Sequence, residues 1–226
     1  MCRSKVWQFV PALEQLRVRA EELFWSYSGF SDRNPPSSYQ REDILEVHEK
    51  LLPKLKIQGL LRQVNEYAFA DRYMEAEGRR IACMLPLQEY REQITGIYVF
   101  LVSEETVALD AQSTMEQLYT DIWQNAYLDA AREQAKELLA EQTGAFVSPC
   151  IAPGFYGMKL KDMAVLHELI DGCQIGVTVR EDGMLTPEKS VLGFYLTLSH
   201  DLNILGKRCA DCPARGKNCE FCMDKL

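Results

Sequence analysis

The amino-acid sequence predicts an α+β fold with a mostly antiparallel sheet. Strand-like patterns lie towards both ends of the chain and enclose a long helical middle, without regular alternation of strands and helices. A doubly wound parallel sheet needs that alternation, so the α+β arrangement is favoured. The 226 residues are 47% hydrophobic and 26% charged, which is typical of one globular domain with room for a small appendage.

The N-terminal part, residues 1–65, is predicted to be helical. Apolar side chains recur at helical spacing across residues 11–27. Residues 28–38 have the Gly, Pro and Ser content of a loop. A second helix is expected from about Asp43 to Leu52, because Pro53 would end it.

A strand-rich region follows the N-terminal helices. Apolar residues alternate across residues 66–85 around Glu77 and Gly78, which predicts a hairpin. Residues 95–103, with the sequence TGIYVFLVS, are rich in β-branched and aromatic side chains. This run is too apolar for a strand with one face in water, so we expect it in the centre of the sheet.

The helical middle is predicted to begin directly after this strand. Ser103 is a candidate N-cap, and Glu104 and Glu105 are acidic residues of the kind favoured in a first helical turn. The helical pattern runs to about Gln142 and is interpreted as two helices, the second of which ends at Gly144.

A loop rich in proline and glycine occupies residues 148–157. Its glycines allow close approach of the backbone to a ligand, and Phe155 and Tyr156 are candidates to stack on a flat ring. Backbone N–H groups before the next helix, residues 161–171, suit a carboxylate or phosphate. A loop that only connects two elements, without binding a ligand, would have the same composition, so both interpretations stay open. Strands at residues 174–179 and 190–198 complete the predicted sheet.

Residues 206–226 form a cysteine-rich tail with few large apolar side chains. Two CxxC pairs are separated by six residues: Cys209, Cys212, Cys219 and Cys222. Four thiolates at this spacing predict a metal site that holds an iron–sulfur cluster, with 4Fe–4S preferred, or zinc as the second choice. The short link favours the cluster, because zinc ribbons separate their pairs by about 15–20 residues. Disulfides are the alternative, and a reducing compartment disfavours them.

Charge and hydropathy exclude several classes of partner. The formal net charge is −8 and no basic stripe is present, so nucleic acid is not an expected partner. The sequence has no apolar run long enough to span a bilayer and no signal-peptide core, which predicts a cytoplasmic protein without a membrane partner. Neither a P-loop nor a GxGxxG motif occurs.

An ordered set of short motifs points to a known family. The set comprises Ala-Pro-Gly-aromatic at 152–155, Ile-Gly-Val-Thr at 175–178, Met-Leu-Thr-Pro at 184–187 and Lys-Ser-Val-Leu-Gly-Phe-Tyr at 189–195. In order and spacing it resembles the activation domain of cobalamin-dependent methionine synthase, and still more the stand-alone activation proteins with a cysteine-rich tail. The resemblance assigns residues 66–205 to an activation-like domain and residues 206–226 to the tail.

This resemblance implies a C-shaped α+β domain, with a twisted antiparallel sheet and flanking helices, that binds S-adenosylmethionine in a shallow groove. The domain would cap the cobalamin-binding domain of methionine synthase, or of another corrinoid protein, after oxidation to cob(II)alamin. An electron from a reduced carrier and a methyl group from S-adenosylmethionine would then restore methylcobalamin. In the family, ligand contacts come from an Arg-x-Ala-Pro-Gly-Tyr loop and from an acid on the preceding helix.

Seven residues are assigned to the implied groove: Glu133, Ala152, Pro153, Gly154, Phe155, Tyr156 and Tyr195. Glu133 would pair with the ligand's ammonium group. The family arginine that holds the ligand carboxylate falls at Cys150, and a thiol cannot replace a guanidinium fork. The sequence therefore predicts weak or absent S-adenosylmethionine binding. It leaves open a second function, an iron–sulfur or zinc electron-transfer module for a corrinoid partner.

Overall fold

The computed structural model describes residues 6–105, 107, 109–110 and 112–202. The strands of this part are β1 (Val6–Phe9), β2 (Ile57–Gln63), β3 (Tyr67–Phe69), β4 (Tyr73–Ala76), β5 (Arg79–Ala82), β6 (Ile94–Glu104), β7 (Phe146–Val147), β8 (Thr178–Val179), β9 (Leu185–Thr186) and β10 (Ser190–Leu198). The α-helices are α1 (Leu13–Tyr27), α2 (Ser38–Leu51), α3 (Thr114–Thr143) and α4 (Asp162–Ile170). None of the described helices is both long and apolar enough to cross a membrane.

Five strands form the main sheet in the order β1-β2-β6-β10-β7, and each neighbouring pair is antiparallel. Strand β6 therefore lies in the centre, as predicted. Its side chains alternate between two cores, because successive residues of a strand point to opposite faces. Ile97, Val99 and Leu101 join the core shared with α4. The intervening side chains join the core shared with α1, α2 and α3. The predicted α+β class with a central antiparallel sheet is confirmed.

The N-terminal part contributes two strands that the sequence did not predict. Strand β1 pairs with β2 so that Phe9 lies opposite Gly59. A Cβ atom on Gly59 would come within 2.2 Å of the Phe9 ring, so the ring occupies the space of the missing side chain. Strand β2 contains Gly59 and polar residues, so its sequence lacks the alternating apolar pattern by which strands are predicted. Helix α2 also begins earlier than expected, because Ser37 and Gln40 form a capping box.

The helical middle is one helix rather than two. Helix α3 has 30 residues and begins at Thr114, with Ser113 as its N-cap. The predicted start at Ser103 is wrong because β6 continues through Glu104. The Glu104 side chain is fully buried and accepts a hydrogen bond of 2.8 Å from Gln124 of α3. Gly144 ends the helix in the left-handed conformation at φ 64°, as predicted.

Two smaller sheets pack beside the main one. The predicted hairpin is a three-stranded sheet in the order β3-β4-β5, with Glu77 and Gly78 in the turn between β4 and β5. The strand predicted over residues 174–179 begins instead as the end of a 3-10 helix, Gly172–Ile175, and only Thr178–Val179, the short strand β8, pairs with β9. The helix predicted over residues 161–171 is α4. These elements cover the face of the main sheet that α1, α2 and α3 leave open.

Candidate functional site

A groove of about 660 Å³ lies between α3, β10 and the proline–glycine loop. We call it the aromatic groove. Its lining residues are Tyr27, Ile122, Asn125, Asp129, Arg132, Cys150, Ala152, Phe155, Tyr156 and Val191. Small-molecule sites usually have volumes of about 300–1,000 Å³ and combine apolar walls with a few polar groups. The aromatic groove has both properties.

The loop beside the groove is anchored to the main sheet at its start. Ile151 and Phe194 exchange two backbone hydrogen bonds of 3.0 and 2.8 Å. The chain then turns sharply, with positive φ angles of 95° at Gly154, 51° at Tyr156 and 74° at Gly157. Positive φ is costly for a residue with a side chain, so Tyr156 is held in place by its surroundings.

Two backbone N–H groups at the turn of this loop have local acceptors. The N–H of Gly154 donates to the Met158 carbonyl at 3.0 Å, and that of Phe155 donates to the Ala152 carbonyl at 3.1 Å. These two groups are therefore already used within the turn. Arg132, described below, is a side chain at the groove that could hold an anionic group.

Three aromatic side chains form the walls of the groove. Phe155 and Tyr156 come from the loop, with ring centroids 6.4 Å apart, and Tyr27 comes from the end of α1. The Tyr27 hydroxyl donates a 2.7 Å hydrogen bond to Asp129. Burial, followed by this hydrogen bond, raises the pKa of Tyr27 above its ordinary value, so the phenol stays neutral. Such walls suit a flat ring.

Charged and polar side chains lie between these walls. Arg132 donates from Nε to Asp129 at 2.8 Å, and both side chains are mostly buried. Cys150 lies next to Arg132. Burial raises the pKa of the Cys150 thiol to about 11, although the Arg132 guanidinium opposes that shift. The thiol is therefore neutral near pH 7, and it leaves the positive charge of Arg132 in place.

The seven predicted groove residues do not all meet at one cavity. Ala152, Phe155 and Tyr156 line the aromatic groove. Pro153 is buried and Gly154 is exposed, and neither lines the groove. Glu133 and Tyr195 line a neighbouring cavity of about 490 Å³ along the C-terminal half of α3, which we call the helix-side cavity. Arg132 and Cys150 lie between the two, since they line both.

Glu133 is engaged by a residue of α1. Arg19 donates to its two carboxylate oxygens at 2.6 and 3.1 Å, which makes a bidentate ion pair. The acid that the structure brings to the aromatic groove is Asp129, one turn earlier on α3. An ammonium group bound in the groove would meet Asp129 rather than Glu133.

Tyr195 is buried and has a packing role. Its ring stacks on Phe100 with centroids 4.5 Å apart, and its hydroxyl donates to the backbone carbonyl of Arg132 at 2.9 Å. Burial raises the pKa of Tyr195 above its ordinary value, so the hydroxyl remains a donor. This contact fixes the turn of α3 that carries Arg132.

Sequence reasoning missed Tyr27, Asp129 and Arg132 as groove residues. Arg132 belongs to a stretch of mixed charge that reads as a solvated helix face, and Tyr27 lies more than 100 positions from the loop. The available signal was the Asp129–Arg132 spacing of three residues, which places both side chains on one helix face.

The four cysteines predicted to bind a metal, Cys209, Cys212, Cys219 and Cys222, lie outside the described residues. Within the described part of the chain, no cluster of His, Cys, Asp and Glu side chains has the arrangement of a metal site. The cysteines described there are Cys83, Cys150 and Cys173, and each is a free thiol.

Comparison with solved structures identifies a similar fold. A crystal structure of the MetH reactivation domain bound to AdoHcy matches with a TM-score of 0.62 and 14% sequence identity. The match covers 89% of this chain and 81% of that chain. No protein-family model and no curated protein matches the sequence. The chain therefore shares the fold of the MetH reactivation domain.

Proposed function

We propose that the aromatic groove binds an S-adenosyl amino acid, and that this chain activates a cobalamin-dependent methyltransferase. The observation that carries the proposal is the meeting of Phe155, Tyr156 and Arg132 around one cavity of suitable size. The aromatic walls suit an adenine ring, and the charged side chains suit an amino-acid end. The ligand of the similar structure, AdoHcy, has both parts.

The proposed activity follows from the family resemblance. The chain would dock on the cobalamin domain of methionine synthase or another corrinoid protein and present a methyl donor to it. One electron from a reduced carrier and the methyl group of S-adenosylmethionine convert cob(II)alamin to methylcobalamin, and S-adenosylhomocysteine leaves. The residues of this chain contribute binding and orientation, which place the methyl group for transfer.

Replacing Phe155 with alanine is expected to weaken AdoHcy binding about tenfold or more, because stacking of a nucleobase on an aromatic ring contributes about 1–3 kcal/mol. Isothermal titration calorimetry of the wild-type chain and the variant measures this change. Phe146→Ala is the matched control, since Phe146 is also an exposed aromatic residue but lines only the helix-side cavity. Equal losses in the two variants would contradict the groove assignment.

The activator role is tested by mixing the protein with a cob(II)alamin-loaded partner, a reductant and S-adenosylmethionine. Methylcobalamin, followed by its absorption spectrum, is expected to form faster with the protein than without it. Equal rates would reject the activator role. If calorimetry also shows no ligand binding, the second function, a metal-binding electron-transfer module without a ligand site, becomes the better account of the chain.

We also propose that the tail binds a metal through Cys209, Cys212, Cys219 and Cys222. Four soft thiolate donors fit an iron–sulfur cluster or zinc, and a cluster would supply one-electron transfer. Protein purified without oxygen is expected to be brown and to contain iron and sulfide, and a C209S/C212S variant is expected to lose both. Metal and sulfide analysis measures this. Cys173→Ser, at an exposed thiol outside the tail, is the control. Unchanged metal content in the double variant would reject the site.

A further inference from the structure

Arg132 occupies a position between the aromatic groove and the helix-side cavity, and it lines both. Its side chain is 23% exposed. A guanidinium has five N–H donors in a fixed planar arrangement. The hydrogen bond to Asp129 uses the Nε donor. Among the described residues, Asp129 is the ion-pair partner of Arg132, and the Cys150 thiol is hydrogen-bonded to the Arg132 side chain.

The surroundings hold the backbone of Arg132 and its partner Asp129 in place. The Tyr195 hydroxyl binds the Arg132 carbonyl at 2.9 Å, and the Tyr27 hydroxyl binds Asp129 at 2.7 Å. Both contacts connect α3 to another element, β10 in one case and α1 in the other. An arginine fixed in this way loses little freedom when it binds a carboxylate, which raises the affinity that each hydrogen bond contributes.

Asp129 and Arg132 together present one negative and one positive group to the same groove. An α-amino acid carries the complementary pair, a carboxylate and an ammonium group, on one carbon atom. The guanidinium can bind the carboxylate in a bidentate manner, and the aspartate can accept from the ammonium group. The loop N–H groups of Gly154 and Phe155 cannot take over this role, because they donate within the loop.

We infer that Arg132, from the long helix, is the residue that selects ligands with an α-amino-acid end, with Asp129 as its partner for the ammonium group. This rests on the proposed function, in which the aromatic groove takes an adenosyl ligand. The sequence predicted weak or absent binding because Cys150 stands where the family has its arginine. In the fold, the guanidinium of Arg132, from α3, lies next to the Cys150 thiol. Tyr195 acts through Arg132 and is a positioning residue.

Two ligands separate the contributions of the two ends. S-adenosylhomocysteine carries an α-amino-acid end, whereas 5′-methylthioadenosine has the same adenosyl thioether without it. In calorimetric titrations, Arg132→Gln is expected to raise the dissociation constant of S-adenosylhomocysteine at least tenfold and that of 5′-methylthioadenosine less than twofold. Arg132→Lys keeps the charge but not the fork, and is expected to give an intermediate loss with S-adenosylhomocysteine only. Lys136→Gln, which removes a cation one turn later on α3, is expected to change neither.

The outcomes are distinguishable. If the Arg132 variants lose affinity for both ligands to the same extent, or for neither, the selective role of Arg132 is rejected. The groove proposal is then judged by the wild-type titrations alone. If the wild-type chain binds neither ligand, the proposed function is rejected together with this inference. Thermal unfolding of each variant checks folding, and Arg132→Lys supports the test if Arg132→Gln is unstable.

Discussion

Replacing Glu104 with glutamine is expected to stabilise the protein by about 3 kcal/mol above pH 7. Glu104 is fully buried at the end of β6, and only one of its oxygens has a hydrogen-bond partner among the described residues. Burial raises its pKa from 4.5 to about 7, although the hydrogen bond from Gln124 and the charge of Lys189 oppose the shift. Ionised Glu104 is therefore poorly accommodated, and a neutral amide removes that cost.

The sign of the pH dependence follows from this shift. Between pH 4.5 and 7 the folded protein keeps the Glu104 proton that the unfolded chain releases, so the contribution of Glu104 to stability falls as the pH rises. Below this range the Glu104 carboxyl group is protonated in both the folded and the unfolded state. The wild type and E104Q are therefore expected to have similar stability there. Above pH 7 the difference is constant. Urea unfolding of both proteins at several pH values measures the difference in free energy of unfolding.

Glu105→Gln is the control for this experiment. Glu105 is adjacent in sequence, but its side chain is exposed and pairs with Lys56 at 2.9 Å on the surface. Such an exposed ion pair contributes less than about 1 kcal/mol, so the E105Q variant is expected to follow the wild-type curve. A stability difference between E104Q and the wild type that stays the same from pH 4.5 to 8 would contradict the explanation.

Replacing Gly193 with alanine is expected to destabilise the protein by about 2–3 kcal/mol and to weaken ligand binding in the aromatic groove by about tenfold. A Cβ atom on Gly193 would lie 2.6 Å from the Ile151 backbone carbonyl and 3.1 Å from the Ala152 side chain. A backbone atom cannot turn aside as a flexible side chain can. The loop start would move away from β10, and Ala152 and Phe155 would move with it.

Gly96→Ala provides the comparison. Gly96 lies in the neighbouring strand β6, and an added Cβ would meet side-chain atoms of Thr197 and Tyr98 at 3.0 and 3.1 Å. These side chains can shift by a few tenths of an ångström, so the loss of stability is expected to be smaller and ligand binding to be unchanged. Thermal unfolding and AdoHcy titration give both quantities. If G193A loses stability but binds AdoHcy like the wild type, the link between β10 and the groove is refuted.

The parts of the fold that sequence predicted correctly have strong local causes. Strand β6 is an unbroken apolar run because both of its faces are buried. Helix α3 ends at Gly144 because the residue there adopts a positive φ. The errors arise where a distant residue decides the local structure. Phe9 makes Gly59 acceptable in a strand, and Gln124 allows an acid, Glu104, to be buried where it resembled the first turn of a helix.

The candidate site divides in the same way. The loop residues Ala152, Phe155 and Tyr156 lie at the groove because they are neighbours in sequence and turn together. Asp129 and Arg132 join them only through packing of α3 on the sheet, and no local pattern distinguishes an arginine that lines a cavity from one in solvent. The choice between Glu133 and Asp129 depends on Arg19, which reaches Glu133 from a helix more than 100 positions earlier.

The outermost strands of the main sheet have a consequence for association between molecules. Strand β1 has four residues and strand β7 has two, so each rim of the sheet exposes few unpaired backbone groups. Long, flat rims allow strands of other molecules to add and begin aggregation. The longest strand, β6, has a partner strand on each side, and the outer side of β10 is covered in part by β7 and by the Ile151–Phe194 bridge of the proline–glycine loop. The described part of the chain thus combines a very apolar sheet interior with margins that resist edge-to-edge stacking.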